Sequence, residues 1–453
     1  MADSGYAYWG SNLGRATQAN AERESQSAFM LSGNAAETGA GEDREPTARA
    51  RSLEMKASFD VLVIGGGPAG STAATHLAAE GLAVGVLEEH ATIGEPVDCT
   101  GVIGAEACDR FAIPQELIVG SVGAVTIHSP GGVTATHRSS QPMAHVVDRG
   151  KFDRWIARQA QDAGASMLLS ARVTDIEYDD RHLRVVCQRP EGERQTYRAA
   201  VVILASGPRF ALQERLGLGV CPLLWKSAHA ELPGDGLPHP QVYLGREVAP
   251  GAFGWAVPIR RDGRPWVRVG VNSHAADVQR YLQKLCAERF PHLLPGDGVV
   301  QSRSWVIPVV PPPTTYGERV LAVGDAAGQV KSTSGGGIYF GILSAQLAAE
   351  TVAEAFRRGD FRRTALAVYE KRWRARLGLD LKIGTLFRRL FTRMTDRDMD
   401  DLLRALREEE VSSQVSEKVS FDWHRELVLF VLKHPKLARI LLRPLWDRPS
   451  AAR

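Results

Sequence analysis

The first clear hydrophobic pattern in the chain is a short apolar run that begins at Phe59 and reads Phe-Asp-Val-Leu-Val-Ile. Apolar runs without alternation are typical of strands that are buried on both faces of a parallel sheet. A helix-like segment over residues 71–80 and a second strand-like run over residues 82–87 come directly after it. The order strand, helix, strand within this short distance predicts one βαβ unit.

Farther along, the pattern changes to shorter apolar runs that Pro and Gly interrupt. Two of them, residues 124–128 and 133–137, flank Ser129-Pro130-Gly131-Gly132 and predict a β-hairpin. Many such runs between about residues 220 and 310 favour an antiparallel sheet that forms a second domain. The remaining predicted elements are a helix over residues 151–163, strands over residues 200–205 and 320–323, a helix from about Gly337, and helices after about Phe356.

Residues 1–57 show neither strand nor helix periodicity and are rich in Ala, Ser, Gly, Glu and Asn. A segment of this composition buries too little apolar surface to order itself, so we expect a disordered tail, or translation from Met55. It contains no basic stretch followed by an apolar one, so we expect no secretory signal peptide.

A glycine-rich turn joins the first predicted strand to the first predicted helix. It consists of Gly65, Gly67, Pro68, Ala69 and Gly70, which form a G-x-G-x-x-G pattern. The first glycine allows a tight turn, the second lets the backbone approach a pyrophosphate, and the third lets helix and strand pack closely. The helix N-terminus adds free N–H groups and the positive end of its dipole. Glu88 ends the next strand, where a carboxylate accepts hydrogen bonds from an adenosine ribose, so the pattern predicts dinucleotide binding.

A second glycine-rich segment identifies the dinucleotide as FAD. Gly324 and Asp325 follow a predicted strand and resemble the Gly-Asp motif of single-Rossmann flavoproteins, in which the aspartate hydrogen-bonds the ribityl chain of the flavin. The next helix opens with Gly335, Gly336, Gly337 and Ile338. Backbone N–H groups at this helix end would face the N1/O2 edge of the flavin and stabilise negative charge on the reduced ring.

Together with two further motifs, these segments resemble the geranylgeranyl reductase family of flavoproteins, which is related to para-hydroxybenzoate hydroxylase. The third motif, residues 93–101, reads Ile-Gly-Glu-Pro-Val-Asp-Cys-Thr-Gly and resembles the P-x-x-C-x-G segment of the family. The fourth, residues 249–258, resembles the aromatic-x-Trp-x-x-Pro segment that lines its prenyl-chain cavity. The resemblance covers about residues 58–400 and also implies an FAD cofactor.

The activity implied by this resemblance is hydride transfer from reduced FAD to a carbon–carbon double bond of an isoprenoid lipid or quinone tail. An isolated alkene has no carbonyl to polarise it, so the site must hold one carbon against flavin N5 and supply a proton to the other. The resemblance implies that Phe253 and Trp255 line a prenyl tunnel. Because Cys99 follows the βαβ unit on a loop bounded by Pro and Gly, we expect it to lie beside the flavin and to position or protonate the alkene, and we include Tyr339 among the candidate catalytic residues. Arg149, in a segment that resembles D-R-x-x-F-D, is assigned to the cofactor. Packing is the alternative for Cys99 and the two tunnel aromatics, and a surface ion pair for Arg149.

One segment departs from the family pattern. Relatives carry Asp-Gly after the strand that ends at Ala205, where this chain has Ser206-Gly207-Pro208. Because no second G-x-G-x-x-G is present, the electron donor stays open between NAD(P)H and a ferredoxin-like protein. Two alternative functions also stay open: an aromatic-ring monooxygenase or halogenase of the same fold, and a flavin protein that passes electrons to quinone.

The expected fold class is α/β, with a discontinuous FAD-binding Rossmann-type domain, an antiparallel-sheet substrate domain and a C-terminal helical region. The predicted boundaries are residues 1–57 for the tail, 58–120 with 145–215 and 305–355 for the FAD-binding domain, 121–144 with 216–304 for the substrate domain, and 356–453 for the helical region.

Composition narrows the function classes further. The chain has 453 residues, and its 55 Lys and Arg against 52 Asp and Glu leave a net charge of +3, which argues against a nucleic-acid partner. The five cysteines include no C-x-x-C pair and the 12 histidines show no metal-binding spacing. We therefore expect no disulfide framework, no metal and a reducing, cytoplasmic location. No apolar run reaches the roughly 18 residues that span a bilayer.

The small net charge conceals a basic C-terminal end. Residues 354–393 contain twelve Lys or Arg against four acids, with apolar residues such as Trp373 among them, and residues 423–446 continue the pattern. Basic amphipathic helices with Trp suit an anionic membrane surface, which would place the protein at the inner face of the membrane. A helix packed on the core by its apolar side is the alternative.

Overall fold

The computed structural model describes residues 58–408, 411, 414 and 420–446. The predicted tail, residues 1–57, lies outside the described residues. The described part of the chain contains a mainly parallel sheet with helices, a mainly antiparallel sheet and a C-terminal group of helices. The predicted α/β fold class is therefore confirmed.

The first sheet carries the dinucleotide turn. In spatial order its strands are β17 (Tyr316–Gly317), β18 (Val320–Ala322), β11 (Arg194–Leu204), β1 (Ser58–Ile64), β2 (Val84–Leu87) and β8 (Ser166–Leu168), while β9 (Arg172–Asp179) and β10 (His182–Gln188) extend from the free part of β11. The strands from β18 to β8 are parallel. Val61, Leu62 and Val63 are fully buried, which explains the unbroken apolar run in β1.

Three helices pack on one face of this sheet and on each other: α1 (Pro68–Ala79), α3 (Arg149–Asp162) and α6 (Ile338–Arg358). Buried alanines such as Ala73 and Ala348 allow the close packing. Helix α1 begins earlier than the periodicity predicted, because Pro at the first helical position lacks only an N–H that would have no partner there.

The second sheet contains seven strands. In spatial order they are β16 (Arg303–Pro308), β12 (Leu224–Pro233), β15 (Arg264–Ser273), β14 (Phe253–Arg261), β13 (Gln241–Tyr243), β5 (Ala124–His128) and β6 (Thr134–Arg138). The predicted hairpin is present as β5 and β6, and only the β13–β5 pair is parallel. Residues from 305 onward were expected in the FAD-binding domain, but β16 pairs with β12 along its whole length. Helix α5 (Val278–Arg289) buries Leu282 and Leu285 beneath this sheet.

A small sheet lies between the two large ones. Its strands are β3 (Val102–Gly104), β7 (Ala144–Val147) and β4 (Ile118–Val122). Two short helices, α2 (Ala105–Arg110) and α4 (Ala211–Arg215), complete this part of the chain. The small sheet was not predicted, because each strand is too short to show a period of two.

The C-terminal helices are α7 (Arg363–Phe391), α8 (Asp396–Leu406), α9 (Arg425–Lys433) and α10 (Pro435–Leu442). Leu366, Tyr369, Trp373 and Leu377 of α7 are fully buried in the core of the first sheet. The basic helix therefore packs most of its apolar side on the protein. Among the described residues, we find no helix of the length and apolarity needed to cross a bilayer.

Candidate active site

Of the three glycines in the G-x-G-x-x-G pattern, only Gly67 has room for a side chain. A Cβ at Gly65, where φ is +105°, would lie 2.4 Å from the Ala205 carbonyl oxygen. A Cβ at Gly70 would lie 2.0 Å from the Gly65 carbonyl oxygen. Gly67 differs, because its Cβ would meet no atom within 4 Å. It is the N-cap of α1 and no side chain caps the helix, so the first N–H groups of α1 open into free space.

Glu88 is held beside this turn. Its Oε2 accepts a hydrogen bond from the Gly66 N–H at 2.8 Å, and its Oε1 contacts Nδ1 of His90 at 2.6 Å. The side chain is largely buried at the end of β2. A carboxylate in this position suits the hydroxyl groups of an adenosine ribose.

The second glycine-rich segment folds back so that Asp325 and Gly337 lie close together. This residue lies in a short 3₁₀ helix, Gly324–Ala327, directly after β18, and its Oδ1 would be 2.7 Å from a Cβ at Gly337. Burial raises the pKa of Asp325 to about 6, although the charge of Arg149 opposes the shift. Within the described part of the chain, its carboxylate accepts no hydrogen bond, which leaves it available to a hydroxyl group of a ligand.

Helix α6 begins at Ile338, and no side chain caps its N-terminus at Gly337. A Cβ at Gly336 would lie 2.6 Å from Cε of Lys331, so the loop folds tightly over that side chain. Lys331 is buried and its Nζ contacts Oδ1 of Asp422 at 2.9 Å. The sequence did not indicate this pair, because Asp422 comes from the far C-terminal region.

Arg149 forms a two-pronged ion pair with Asp153, with Nε–Oδ1 and Nη2–Oδ2 distances of 3.0 and 2.8 Å. Burial opposes its charge, but Asp153 and a hydrogen bond with Cys99 more than compensate, and the pKa of Arg149 rises above its ordinary value. Cys99 also accepts a hydrogen bond from the Gly101 N–H at 3.4 Å. The Arg149–Asp153 ion pair is therefore largely buried, with Cys99 beside Arg149, and is not an exposed surface ion pair.

The Tyr339 side chain packs and hydrogen-bonds within the core. The side chain is buried, its hydroxyl donates to Oε1 of Glu106 at 2.9 Å, and its ring packs edge-on against Phe111 and Trp423. Its contacts are those of a core residue behind the N-terminus of α6. A catalytic role for Tyr339 stays a prediction.

The two predicted tunnel aromatics lie two residues apart on β14. The Trp255 indole covers Gly270 so closely that a Cβ there would be 2.1 Å from the ring. Phe253 packs edge-on against Trp225, with ring centroids 6.1 Å apart. Trp225 in turn lies 3.4 Å from the Cβ position of Gly335. The aromatic side chains of the second sheet therefore reach the glycine-rich loop of the first.

A cleft of about 1150 Å³ lies between residues 90–97 and the second sheet. Arg268 and Glu231 line it as an ion pair, with an Nη2–Oε1 distance of 2.6 Å, and Arg268 also donates to the Thr100 carbonyl oxygen. His229 lies beside them, where burial and then the charge of Arg268 lower its pKa to about 4. Sequence reasoning missed these residues, because no motif spacing connects them.

These observations fit FAD. The uncapped ends of α1 and α6, the partly buried carboxylate of Asp325 without a partner among the described residues, and Glu88 beside the turn are complementary to phosphates and to ribose and ribityl hydroxyls. Gly65, Gly67, Pro68, Ala69, Gly70 and Glu88 would hold the adenosine diphosphate part. Gly324, Asp325, Gly335, Gly336, Gly337 and Ile338 would hold the flavin part, and Arg149 would contact the cofactor between them.

Comparisons with known proteins support FAD as the cofactor. Residues 60–208 match the family model described as FAD dependent oxidoreductase. The digeranylgeranylglycerophospholipid reductase 2 of Methanothermobacter thermautotrophicus is 31% identical over 396 residues, which cover 84% of this chain and 98% of that protein.

Two solved structures share the fold. A geranylgeranyl bacteriochlorophyll reductase-like protein from Thermoplasma acidophilum gives a TM-score of 0.74 at 24% identity, over 86% of this chain and 100% of that chain. A flavin-dependent brominase gives a TM-score of 0.64 at 16% identity, over 86% and 98% of the two chains. With the length and identity of the match to the reductase, the chain belongs to the geranylgeranyl reductase family of FAD-dependent oxidoreductases.

Proposed function

We propose that this protein reduces carbon–carbon double bonds in the prenyl chains of a phospholipid of the digeranylgeranylglycerophospholipid type. The observation that carries the proposal is the contact between the glycine-rich loop and the aromatic side chains of the second sheet. Trp225 is fully buried against Gly335, Phe253 and the Arg388 guanidinium, so the aromatic packing of the second sheet extends to the loop that would hold the flavin. Phe253 is partly exposed at this packing, and an exposed aromatic ring suits a prenyl chain better than it suits a polar substrate.

Reduced FAD supplies the hydride in this reaction. The chain's own residues would bind and orient the cofactor: the N-termini of α1 and α6 would stabilise its negatively charged groups, and Asp325 would accept a hydrogen bond from a ribityl hydroxyl. Phe253 and Trp255 exclude water and hold the alkene. We assign to the Cys99 thiol the proton that the second alkene carbon takes up, after which the thiolate beside Arg149 regains a proton from solvent.

The test is an anaerobic incubation of the dithionite-reduced enzyme with digeranylgeranylglycerophospholipid. We expect products heavier by about two mass units for each reduced bond, because a hydride and a proton add to each alkene. No mass change with this lipid or with a prenylated quinone would contradict the proposal.

The same assay tests Cys99. We expect Cys99→Ala to retain FAD and to slow product formation at least about tenfold, a typical effect of losing a positioned proton donor. Cys286→Ala is the matched control, because Cys286 is buried beneath the second sheet. Equal rates for Cys99→Ala and the control would remove the catalytic role.

We infer that the electrons come from NAD(P)H or from a ferredoxin-like protein. Ser206 replaces the aspartate of relatives, and its hydroxyl donates only to the Arg209 carbonyl oxygen, at 3.3 Å, among the described residues. Anaerobic mixing of the oxidised enzyme with each donor, followed at the flavin absorbance, separates the two. Flavin reduction by neither donor would contradict the inference.

We also propose peripheral contact with the inner face of an anionic membrane. Leu379 and Leu386 are exposed one above the other on α7, beside exposed Lys382 and Arg389. Apolar side chains flanked by cations suit the boundary between lipid headgroups and acyl chains. Flotation with anionic liposomes at physiological salt should retain the protein, and Leu379→Ser with Leu386→Ser should release it. Absence of the wild-type protein from the floated fraction would contradict the proposal.

A further inference from the structure

The cleft beside the second sheet has a lining in which arginines outnumber acidic residues. We call it the arginine cleft. Its charged lining consists of Arg149, Arg154, Arg260, Arg261, Arg268 and Arg303 against Glu95, Asp148 and Glu231. The glycine-rich turn, Asp325 and residues 335–337 are not part of this lining, whereas Arg149, which we predict to contact the cofactor, belongs to it.

Several of these arginines are already neutralised. Arg268 and Arg261 share Glu231, at 2.6 and 3.0 Å, and Arg149 pairs with Asp153. Two arginines have no such partner within the described residues. The Arg303 guanidinium makes neither a hydrogen bond nor an ion pair there, although it lies close enough to Asp98 for its charge to oppose the burial that raises the pKa of that carboxyl, and the Arg260 guanidinium donates only to the Gly263 carbonyl oxygen. The cleft therefore keeps a surplus of positive charge that an anionic ligand would neutralise.

The inner end of the cleft is aromatic. His229 is 5% exposed and lines the cleft, and its Nδ1 has no hydrogen-bond partner. Its ring packs edge-on against Trp305, with centroids 4.8 Å apart, and lies 6.5 Å from the ring of Trp255. Cations thus line the cleft, and Trp255, one of the two aromatic residues of the predicted prenyl tunnel, lies behind His229 and outside the lining.

We propose that the arginine cleft binds the phosphate group of the ligand that meets the flavin, with Arg303 and Arg260 as its free cations. The inference rests on the proposed function, because a prenyl phospholipid combines one phosphate with apolar chains in the order that the cleft presents. The phosphate lies at the arginines and the chains run past His229 towards Trp255. Guanidinium groups suit this role, since their paired N–H donors match two phosphate oxygens. The phosphates of a nicotinamide dinucleotide have the same chemistry and are the second source to be distinguished.

The test uses the holoenzyme with Arg260→Gln and Arg303→Gln together. Arg181→Gln is the matched control, because Arg181 is exposed in the turn between β9 and β10, outside the cleft. Binding of digeranylgeranylglycerol phosphate and of digeranylgeranylglycerol, which lacks the phosphate, is measured by the change in flavin absorbance of the oxidised enzyme. NADPH binding is measured in a parallel titration, and the flavin content of each variant is recorded.

We expect the preference for the phosphorylated lipid over the alcohol to fall about tenfold or more in the double variant and to persist in the control, consistent with the loss of charge-assisted hydrogen bonds. If only the affinity for NADPH fell, the arginine cleft would be a phosphate site for the dinucleotide and not for the lipid. Unchanged binding of both phosphate ligands would overturn the proposal, as would a parallel loss of FAD, which would assign the arginines to the cofactor. The readout is binding, so it stays informative even if the wild-type enzyme reduces neither lipid and the proposed function fails.

Discussion

At Asp325, burial disfavours the charged carboxylate that FAD binding would use. The carboxylate is partly buried and accepts no hydrogen bond from any described residue, and burial raises its pKa to about 6. In the flavin-free protein its charged form is therefore costly. A carboxylate without donors is expected where the ligand supplies the donors. The same side chain should therefore lower the stability of the flavin-free protein and raise its affinity for FAD.

The first prediction concerns Asp325→Asn. A raised pKa stabilises the folded protein below about pH 4, and this stability is lost as the pH rises through about 6. Asn stays neutral throughout, so at pH 7.5 the flavin-free variant should be more stable than the wild type by up to about 3 kcal/mol. Its affinity for FAD should fall at least about tenfold, because the charged acceptor is lost.

Urea unfolding of the two flavin-free proteins at pH 7.5 and pH 4.5, with an FAD titration, measures both effects. The stability difference should shrink at the lower pH. A variant that is less stable than the wild type at both pH values would show that the Asp325 carboxylate stabilises the protein itself.

In the turn between β1 and α1, different glycines serve backbone packing and ligand binding. Gly70 has its Cβ position filled by the Gly65 carbonyl, and Gly67 has its Cβ position open. The same G-x-G-x-x-G pattern therefore contains one glycine required by the protein's own backbone and one that leaves space for a ligand.

The second prediction compares Gly70→Ala with Gly67→Ala. Gly70→Ala should destabilise the flavin-free protein by about 1 to 3 kcal/mol or more, because the backbone must move to admit the methyl group. Gly67→Ala should cost less, about 1 kcal/mol at most, since its φ of −71° suits alanine and only the N-cap preference for glycine over alanine is lost. It should nevertheless weaken FAD binding at least about tenfold, by blocking the approach of the pyrophosphate. Thermal unfolding and FAD titration measure the two effects, and wild-type FAD affinity in Gly67→Ala would contradict the assignment.

At the scale of the whole molecule, the C-terminal region holds the flavin-side loop in place. Lys331 and Asp422 have side chains that are only 6% and 2% exposed, and Lys331 also donates to the Phe421 carbonyl oxygen at 3.0 Å. Arg388 of α7 donates to the carbonyl oxygens of Ser332 and Thr333. The helical region thus positions a loop that it does not contain.

The third prediction concerns this buried pair. Asp422→Ala leaves the Lys331 ammonium buried without its partner, and we expect a loss of about 3 to 5 kcal/mol in unfolding free energy together with weaker FAD binding. Lys331→Met with Asp422→Ala removes the unpaired charge and should recover part of the stability. Glu247→Ala, which breaks the exposed pair with Lys284, is the control and should have little effect. Denaturant unfolding measures all three, and a double variant no more stable than Asp422→Ala would contradict the argument.

The amino-acid sequence determined those parts of the protein whose structural or binding role depends on residues close together in the chain. The βαβ turn, the hairpin at β5 and β6 and the helical C-terminal region follow from periodicity and turn chemistry, and the Gly324-Asp325 segment follows from its resemblance to the Gly-Asp motif of flavoproteins. The reason is physical: a phosphate-binding turn needs its glycines at fixed backbone positions, and those positions are close together in the chain.

The tertiary structure alone decided which distant side chains meet. The Lys331–Asp422 pair, the packing of Trp225 on Gly335 and the arginine cleft each join segments far apart in the sequence. It also showed that Trp373 faces the core, because a helical pattern defines an apolar side but not what that side packs against. Such contacts depend on how sheets and helices pack, and the free energy that selects the packing is shared over the whole core, so no single segment of the sequence records it.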